Sequence, residues 1–210
     1  MADEARASPV EIISVRADQS LPLAAMANLA FASLPIYRWL VAAGVGGGAG
    51  RAGFLDSTIR HGIDHGEVHT TRDLSAVAVW FRHDGELPSA AVPQWESAAA
   101  IGDHPDRLEA FLAGIRDGRP RGPHRFLALL AVAPDRQGRG VGSLLMRHQH
   151  AYLDRLRLGA HVMAGDRGSR RFFLHHGYRA FGDPLFTGRD APPVYPMWRD
   201  DNPIDPRPSL

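Results

Sequence analysis

The 210-residue chain contains no cysteine. That removes disulfides, thiolate metal sites and a cysteine nucleophile together. It has no apolar run approaching the roughly 18 residues a membrane helix needs. Its start lacks the apolar core of a secretory signal, so a cytoplasmic location without a membrane partner is expected. It has almost no charge excess: 24 basic residues face 23 acidic ones, a formal net charge of +1. A nucleic-acid surface needs a net basic face, so nucleic acid is not an expected partner. No internal repeat and no low-complexity tract interrupts the chain. Hydrophobic residues make up 44% of it, enough for a packed core. The length suits one domain, expected over 11–199, with short tails over 1–10 and 200–210.

The most informative stretch runs from Phe126 to Met146. Phe126 to Val132 is continuously apolar, the pattern of a strand buried on both faces. Pro134 and Asp135 end it. Gln137-Gly138-Arg139-Gly140-Val141-Gly142 then opens a helix whose apolar positions step by three and four: Val141, Leu144, Leu145, His148, Tyr152, Leu153 and Leu156. A strand, a glycine loop and a helix start gather unpaired backbone N–H groups at the positive end of a helix dipole, which suits a phosphate. The glycines let a diphosphate approach the backbone, and Arg139 can add a charged, two-pronged contact.

Three phosphate-loop patterns compete here. A Walker loop needs a lysine after its second glycine, and none is present. A dinucleotide fingerprint needs Gly-x-Gly-x-x-Gly, but the third glycine would fall on Ser143 or Leu145. The third pattern, Gln/Arg-x-x-Gly-x-Gly/Ala after a buried strand, is matched at every fixed position by Gln137 to Gly142. This stretch resembles the coenzyme A pyrophosphate loop of the GCN5-related N-acetyltransferases (GNAT). Gly66-Glu67-Val68, Ala76 to Trp80 and Arg171 to Tyr178 are similar to the branch that includes puromycin N-acetyltransferase.

The remaining sequence supplies elements in a matching order. A first strand is expected over Glu11 to Arg16, then a helix capped by Ser20 with Leu23, Met26, Ala27, Ala30 and Phe31 on one side. Five glycines between Gly44 and Gly50 read as a loop or helix break. A helix with Phe54, Leu55, Thr58, Ile59 and Ile63 follows, then paired strands over Glu67 to Thr71 and Ser75 to Phe81. Pro88 to Ile101 reads as a loop. A helix starting at Asp103 and ending at Asp117-Gly118 precedes the central strand. Gly159 is expected to stop the long helix. A strand over His161 to Ala164, a helix over Ser169 to His176 capped by Gly177, and strands over Tyr178 to Phe181 and Val194 to Trp198 complete the chain. Pro196 lacks a donor and suggests an edge strand or a bulge.

The resemblance implies an α/β (α+β) fold: one GNAT-type domain whose mixed, mostly antiparallel sheet is splayed at the central strand and flanked by helices. It implies acetyl-CoA as the donor and a small-molecule amine as the acceptor, with an amine antibiotic or a metabolite as candidates and a homodimer left open. The pantetheine arm would pair with Leu130, Ala131 and Val132 like an added strand. The diphosphate would sit on Gln137, Gly138, Arg139, Gly140, Val141, Gly142 and Ser143. One departure matters. Where this branch usually carries a tyrosine that protonates the leaving thiolate, the chain has Phe173. The usual asparagine corresponds to Ser169, and a common glutamate to Met163. Ser169 and Phe173 are therefore cofactor-side positions, with Ser169 and His124 as the catalytic candidates. His83, His175, His176 and water stay open as proton carriers. A protein or peptide acetyltransferase and a weakened acyl-CoA-binding module are the alternatives. No metal site is expected, because a helix break near Gly66 takes His69 off the face shared by His61 and His65.

The acceptor side is expected in the segments Phe31 to Trp39, Gly44 to Gly50, Pro88 to Trp95 and Phe186 to Tyr195. Tyr37, Trp39 and Trp95 could stack on it, and Asp56, Glu67 or Glu96 could hold an ammonium.

Overall fold

The computed structural model describes residues 10–40, 47–84, 105–188 and 190–201. Most of the two expected tails (1–9 and 202–210), the Pro88 to Ile101 stretch with Trp95 and Glu96, the Asp103 cap and the first glycines of the 44–50 run lie outside the described residues. The elements in chain order are β1 (Ile12–Ser14), α1 (Ser20–Phe31), α2 (Pro35–Leu40), α3 (Gly47–His65), β2 (Gly66–Thr71), β3 (Ala76–His83) and α4 (Pro105–Asp117). They continue with β4 (His124–Val132), α5 (Val141–Leu156), β5 (Gly159–Ala164), α6 (Arg167–His175), β6 (Arg179–Ala180) and β7 (Tyr195–Arg199). The seven strands form one open sheet in the order β1-β2-β3-β4-β5-β7-β6, in which only β4 and β5 run parallel.

Strand alternation divides the core between the two sheet faces. Val77, Val79 and Phe81 of β3 pack with α1 to α4, around Leu23, Leu55, Ile59 and Ile115. Ala76, Ala78 and Trp80 face the other way, into the layer of α5 and α6 with Leu145, Met146, Leu153 and Phe173. Burying a large side chain such as Trp80 or Leu153 stabilises by roughly 1.5–3 kcal/mol each.

Several expected details differ. The Phe31 to Trp39 segment is not an irregular connection, because Pro35 starts α2 where a missing N–H costs nothing. Gly47, Gly48 and Gly50 lie within α3 in spite of their poor helix propensity. Ser20 does not cap α1: its buried hydroxyl donates backwards to Ala17 O at 3.0 Å. Gly159 does not stop α5. Arg157 takes the left-handed C-cap at φ 52°, and Gly159 opens β5 beneath the Trp198 ring, where a Cβ would collide.

The buried stripe of α5 is also rotated from the expected one. Val141, Leu145, Met146, Gln149, His150 and Leu153 are buried, whereas Tyr152 and Leu156 are exposed. The polar members of the stripe are paired. Gln149 donates to Glu67 Oε2 at 2.5 Å, and His150 Nε2 meets the Tyr178 hydroxyl at 3.1 Å. Burial pushes His150 down to about 3 and raises the Tyr178 phenol, so both are neutral across the physiological range.

Pro196 lies on an inner strand rather than an edge, opposite Met163 of β5. Its carbonyl accepts from Phe181 N–H at 2.9 Å on the β6 side. A residue in an antiparallel strand sends N and O to the same side, so its missing donor falls just beyond the two-residue β6.

Candidate active site

The site begins where the sheet comes apart. β4 pairs with β5 only from His124 to Leu127, opposite Gly159 to Val162. Its pairing with β3 continues to Val132 but slips between Val79 and Trp80, so Ala128 is an extra residue on β4. Such a bulge bends and twists its strand, and here it falls at the last position shared with β5. Ala128 has no strand partner, and beyond it Leu129 to Val132 are paired on one side only. Their β5-facing side lines a cavity of about 470 Å³.

The glycine loop closes one end of this cavity. The Gln137 amide donates to Val132 O at 3.0 Å, tying the loop to the end of β4. Gly138 and Gly140 hold φ values of 71° and 80°, which a side chain would strain. The first hydrogen bond onto α5 runs from Leu144 N to Gly140 O at 3.0 Å, so the N–H groups of Val141, Gly142 and Ser143 precede the helical ladder. A Cβ on Gly142 would meet Val132 Cγ2 at 3.3 Å and Phe172 Cζ at 3.5 Å. The helix start packs closely against the wall at residue 142, where an added Cβ would make Val132 yield by a few tenths of an ångström. These features, an open strand edge leading to a helix start with glycine at 140 and 142, fit a pantetheine diphosphate.

The expected cofactor-side residues fall into three groups. Leu130, Ala131, Val132, Gln137, Gly142, Ser169 and Phe173 line the cavity, as does Met163. Gly138, Arg139 and Gly140 form the exposed loop beside it. Val141 turns into the core, and Ser143 Oγ lies 2.9 Å from His176 Nε2. Burial holds His176 at about 4, with His175 and Arg147 adding repulsion. Ser169 has little freedom, since its hydroxyl bonds Asp166 O, Oδ1 and N within the α6 capping box. Phe173 is buried and stacks edge-on against Phe172 and Tyr178, at 5.3 and 5.4 Å.

His124 is not a lining residue of the cavity. It starts β4, at the far end of the strand from the glycine loop, and is fully buried. Its Nδ1 lies 2.9 Å from Gly122 O, its ring stacks on His83 at 4.8 Å, and His161 crosses it at 6.0 Å. Burial lowers all three, His83 to about 4 and His161 to about 3, and mutual repulsion adds to it at His83 and His161. The third layer of the cluster is Arg119, with NH1 3.3 Å from His83 Nδ1. Two expected ammonium holders are engaged elsewhere. Glu67 receives Arg125 and Gln149 on the α5 face, and Asp56 pairs with Arg60 at 2.7 Å. His61 and His65 stack on α3, while His69 leaves on β2 to meet His148.

Of the expected acceptor residues, Tyr37 lines the cavity, but Trp39 instead takes the Arg107 guanidinium over its ring at 5.1 Å. Phe54 and Phe111 also line the cavity, and sequence reading missed them as site residues. Their helical spacing reads as ordinary core, so no signal separates the two roles before α3 and α4 are placed over the sheet.

A profile described as the Acetyltransferase (GNAT) family matches residues 72–178, half of the chain, spanning β3 to Tyr178. The chain belongs to the GNAT acetyltransferase family. It is therefore an N-acetyltransferase by family, and acetyl-CoA is the donor that family uses. A comparison with curated proteins finds no significant match. Among solved structures the chain is similar to a histone acetyltransferase HPA2 and related acetyltransferase from Corynebacterium glutamicum. That likeness has 20% identity and a TM-score of 0.69, over 94% of this chain and 98% of that one. A mosquito arylalkylamine N-acetyltransferase like 5b superposes with TM-score 0.62 at 15% identity, covering 91% and 99% of the two chains. A variant of agmatine N-acetyltransferase gives 0.61 at 16%, with the same coverage. At these identities the likeness is one of fold. No helix among the described residues is long and apolar enough to cross a membrane.

Proposed function

We propose that this chain transfers the acetyl group of acetyl-CoA to the nitrogen of a small amine. The observation that carries the reading is the one-sided pairing of Leu129 to Val132, open into the cavity next to the α5 N-terminus. Backbone groups of Leu130, Ala131 and Val132 would hold the pantetheine arm as an added strand. The N–H groups of Val141, Gly142 and Ser143 would hold the diphosphate, with Arg139 beside it. An N–H on the open edge would polarise the thioester carbonyl, a contribution of about 3 kcal/mol in comparable sites. The amine nitrogen attacks that carbonyl, the C–N bond forms, the C–S bond breaks, and the nitrogen's proton passes to solvent or to the departing sulfur. Phe173 has no proton to give, so the thiol's own acidity carries its departure.

The similar folds act, by their descriptions, on amines or on histones. A cavity of this size, walled by apolar side chains, favours a compact amine over a protein tail. The branch resemblance through Arg171 to Tyr178 keeps an amine antibiotic among the candidate acceptors. Thiol release from acetyl-CoA with a mixed panel of amines, read by mass spectrometry, tests this. Acetylated peptide with every small amine untouched reverses the acceptor assignment. Phe173 also favours a second reading, an acyl-CoA-binding module, for which tight acetyl-CoA binding without thiol release from any acceptor is the diagnostic result.

A further inference from the structure

We infer that the acceptor is an amine already neutral at pH 7, borne on a flat apolar body such as an aromatic ring. The inference rests on the acetyl-transfer reading above. The end of the cavity away from the glycine loop is walled by Phe31, Leu34, Tyr37, Leu40, Phe54 and Phe111, drawn from four helices. Three polar side chains of the lining, Tyr37, Thr58 and Asp166, are bonded within the protein. The Tyr37 hydroxyl donates to Asn28 Oδ1 at 2.8 Å, and the Thr58 hydroxyl donates to Phe54 O at 3.0 Å. Asp166, the one carboxylate lining the cavity among the described residues, accepts from Ser169 N at 2.6 Å and from Ser169 Oγ at 2.7 Å. No arginine or histidine among the described residues lines it.

This wall selects by charge state. An ammonium moved into an apolar site without a partner carries a desolvation penalty it cannot recover. Only the unprotonated nitrogen can attack, and an alkylamine with a pKa near 10 is roughly 10³-fold more protonated than neutral at pH 7. The described lining holds one carboxylate, Asp166, whose Oδ1 is committed to the α6 cap, and no histidine to remove that proton. An amine whose lone pair is delocalised into a ring is neutral at that pH and meets neither obstacle. Its ring matches the aromatic wall, where edge and offset contacts are favourable.

The isomers 4-ethylaniline and 2-phenylethylamine separate these effects, having the same atoms but very different basicity. With the full chain and acetyl-CoA at pH 7, kcat/KM for the aniline should exceed that for the alkylamine by at least ~10-fold. The aniline rate should stay flat from pH 6 to 8, while the alkylamine rate climbs about tenfold per unit as its neutral fraction grows. Ser33 is an exposed cavity residue in the turn after α1, and Ser33→Asp places a carboxylate at the rim of this lobe. That variant should narrow the preference by raising the alkylamine value. Preference for 2-phenylethylamine, or for spermidine, in the unmodified chain overturns the inference and leaves acetyl transfer standing. Calorimetry showing no acetyl-CoA binding would instead remove the underlying reading, and the inference with it.

Discussion

The two halves of one continuous strand, β4, meet opposite fates. From His124 to Leu127 the strand is hydrogen-bonded on both sides, to β3 and to β5. From Leu129 to Val132 it keeps β3 and loses β5. The closed half is an end of the core, with His83, His124, His161 and Trp198 stacked over it. The open half is a wall of the cavity. One inserted residue at Ala128 separates them. A site can thus be built by withholding a strand partner, since unpaired backbone groups are strong and directional binders wherever a ligand can complete them.

The two halves should fail in different ways. The largest effect is expected from acid on the closed half. Burial keeps His83 at about 4 and His161 at about 3, while an unfolded histidine titrates near 6.5. Between those values the unfolded chain binds more protons, so stability is full above pH 6.5 and falls as the pH drops toward 4. With the buried His150 behaving alike, three groups at up to about 2 kcal/mol each bring the loss by pH 5 to on the order of 6 kcal/mol at most. Urea unfolding at pH 7.5 and 5.0 measures it, and equal midpoints would contradict the neutral cluster. A Gly159→Ala substitution strikes the same half by geometry. The new methyl would overlap the Trp198 ring opposite His124, and a cost of about 3 kcal/mol is expected in the same assay.

The open half should respond through binding rather than stability. Gly142→Asp places bulk and a negative charge where the backbone meets Val132 and Phe172. Acetyl-CoA affinity should fall by at least ~2 kcal/mol in calorimetry, with the circular dichroism unchanged. The smallest expected change is a gain. Phe173→Tyr sets a phenol in the cavity wall, and turnover should rise, by up to about tenfold, if sulfur protonation limits the rate. An unaltered rate across the pH profile would show that protonation is not limiting.

How much of this the sequence discloses depends on whether a residue's role is local. The apolar run to Val132 and the spacing of Gly138, Gly140 and Gly142 are set by strand burial and by backbone conformation, so both were legible, and so was the order of elements around them. The bulge at Ala128 was not, because nothing in Leu127-Ala128-Leu129 marks which residue lacks a partner. Nor was the true face of α5. Gln149 and His150 read as solvated until Glu67 and Tyr178, distant in sequence, arrive to bond them. His124 looked like a substrate-side residue from its place before the strand. In the fold it is at the strand's closed end, under Trp198. The apolar acceptor lobe was hidden for the converse reason, because residues that line a cavity and residues that fill a core share one helical pattern.

Amide hydrogen exchange along β4, with and without acetyl-CoA, tests most directly whether the split strand is the binding device. Amides of His124 to Leu127 should be protected in both states. Acetyl-CoA should slow exchange at one or more amides within Ala128 to Val132, and at Val141 to Ser143, by at least ~10-fold at saturation. Saturating acetyl-CoA that leaves both of those segments exchanging as before would contradict the assignment of the open half of β4 as the place where the donor is held.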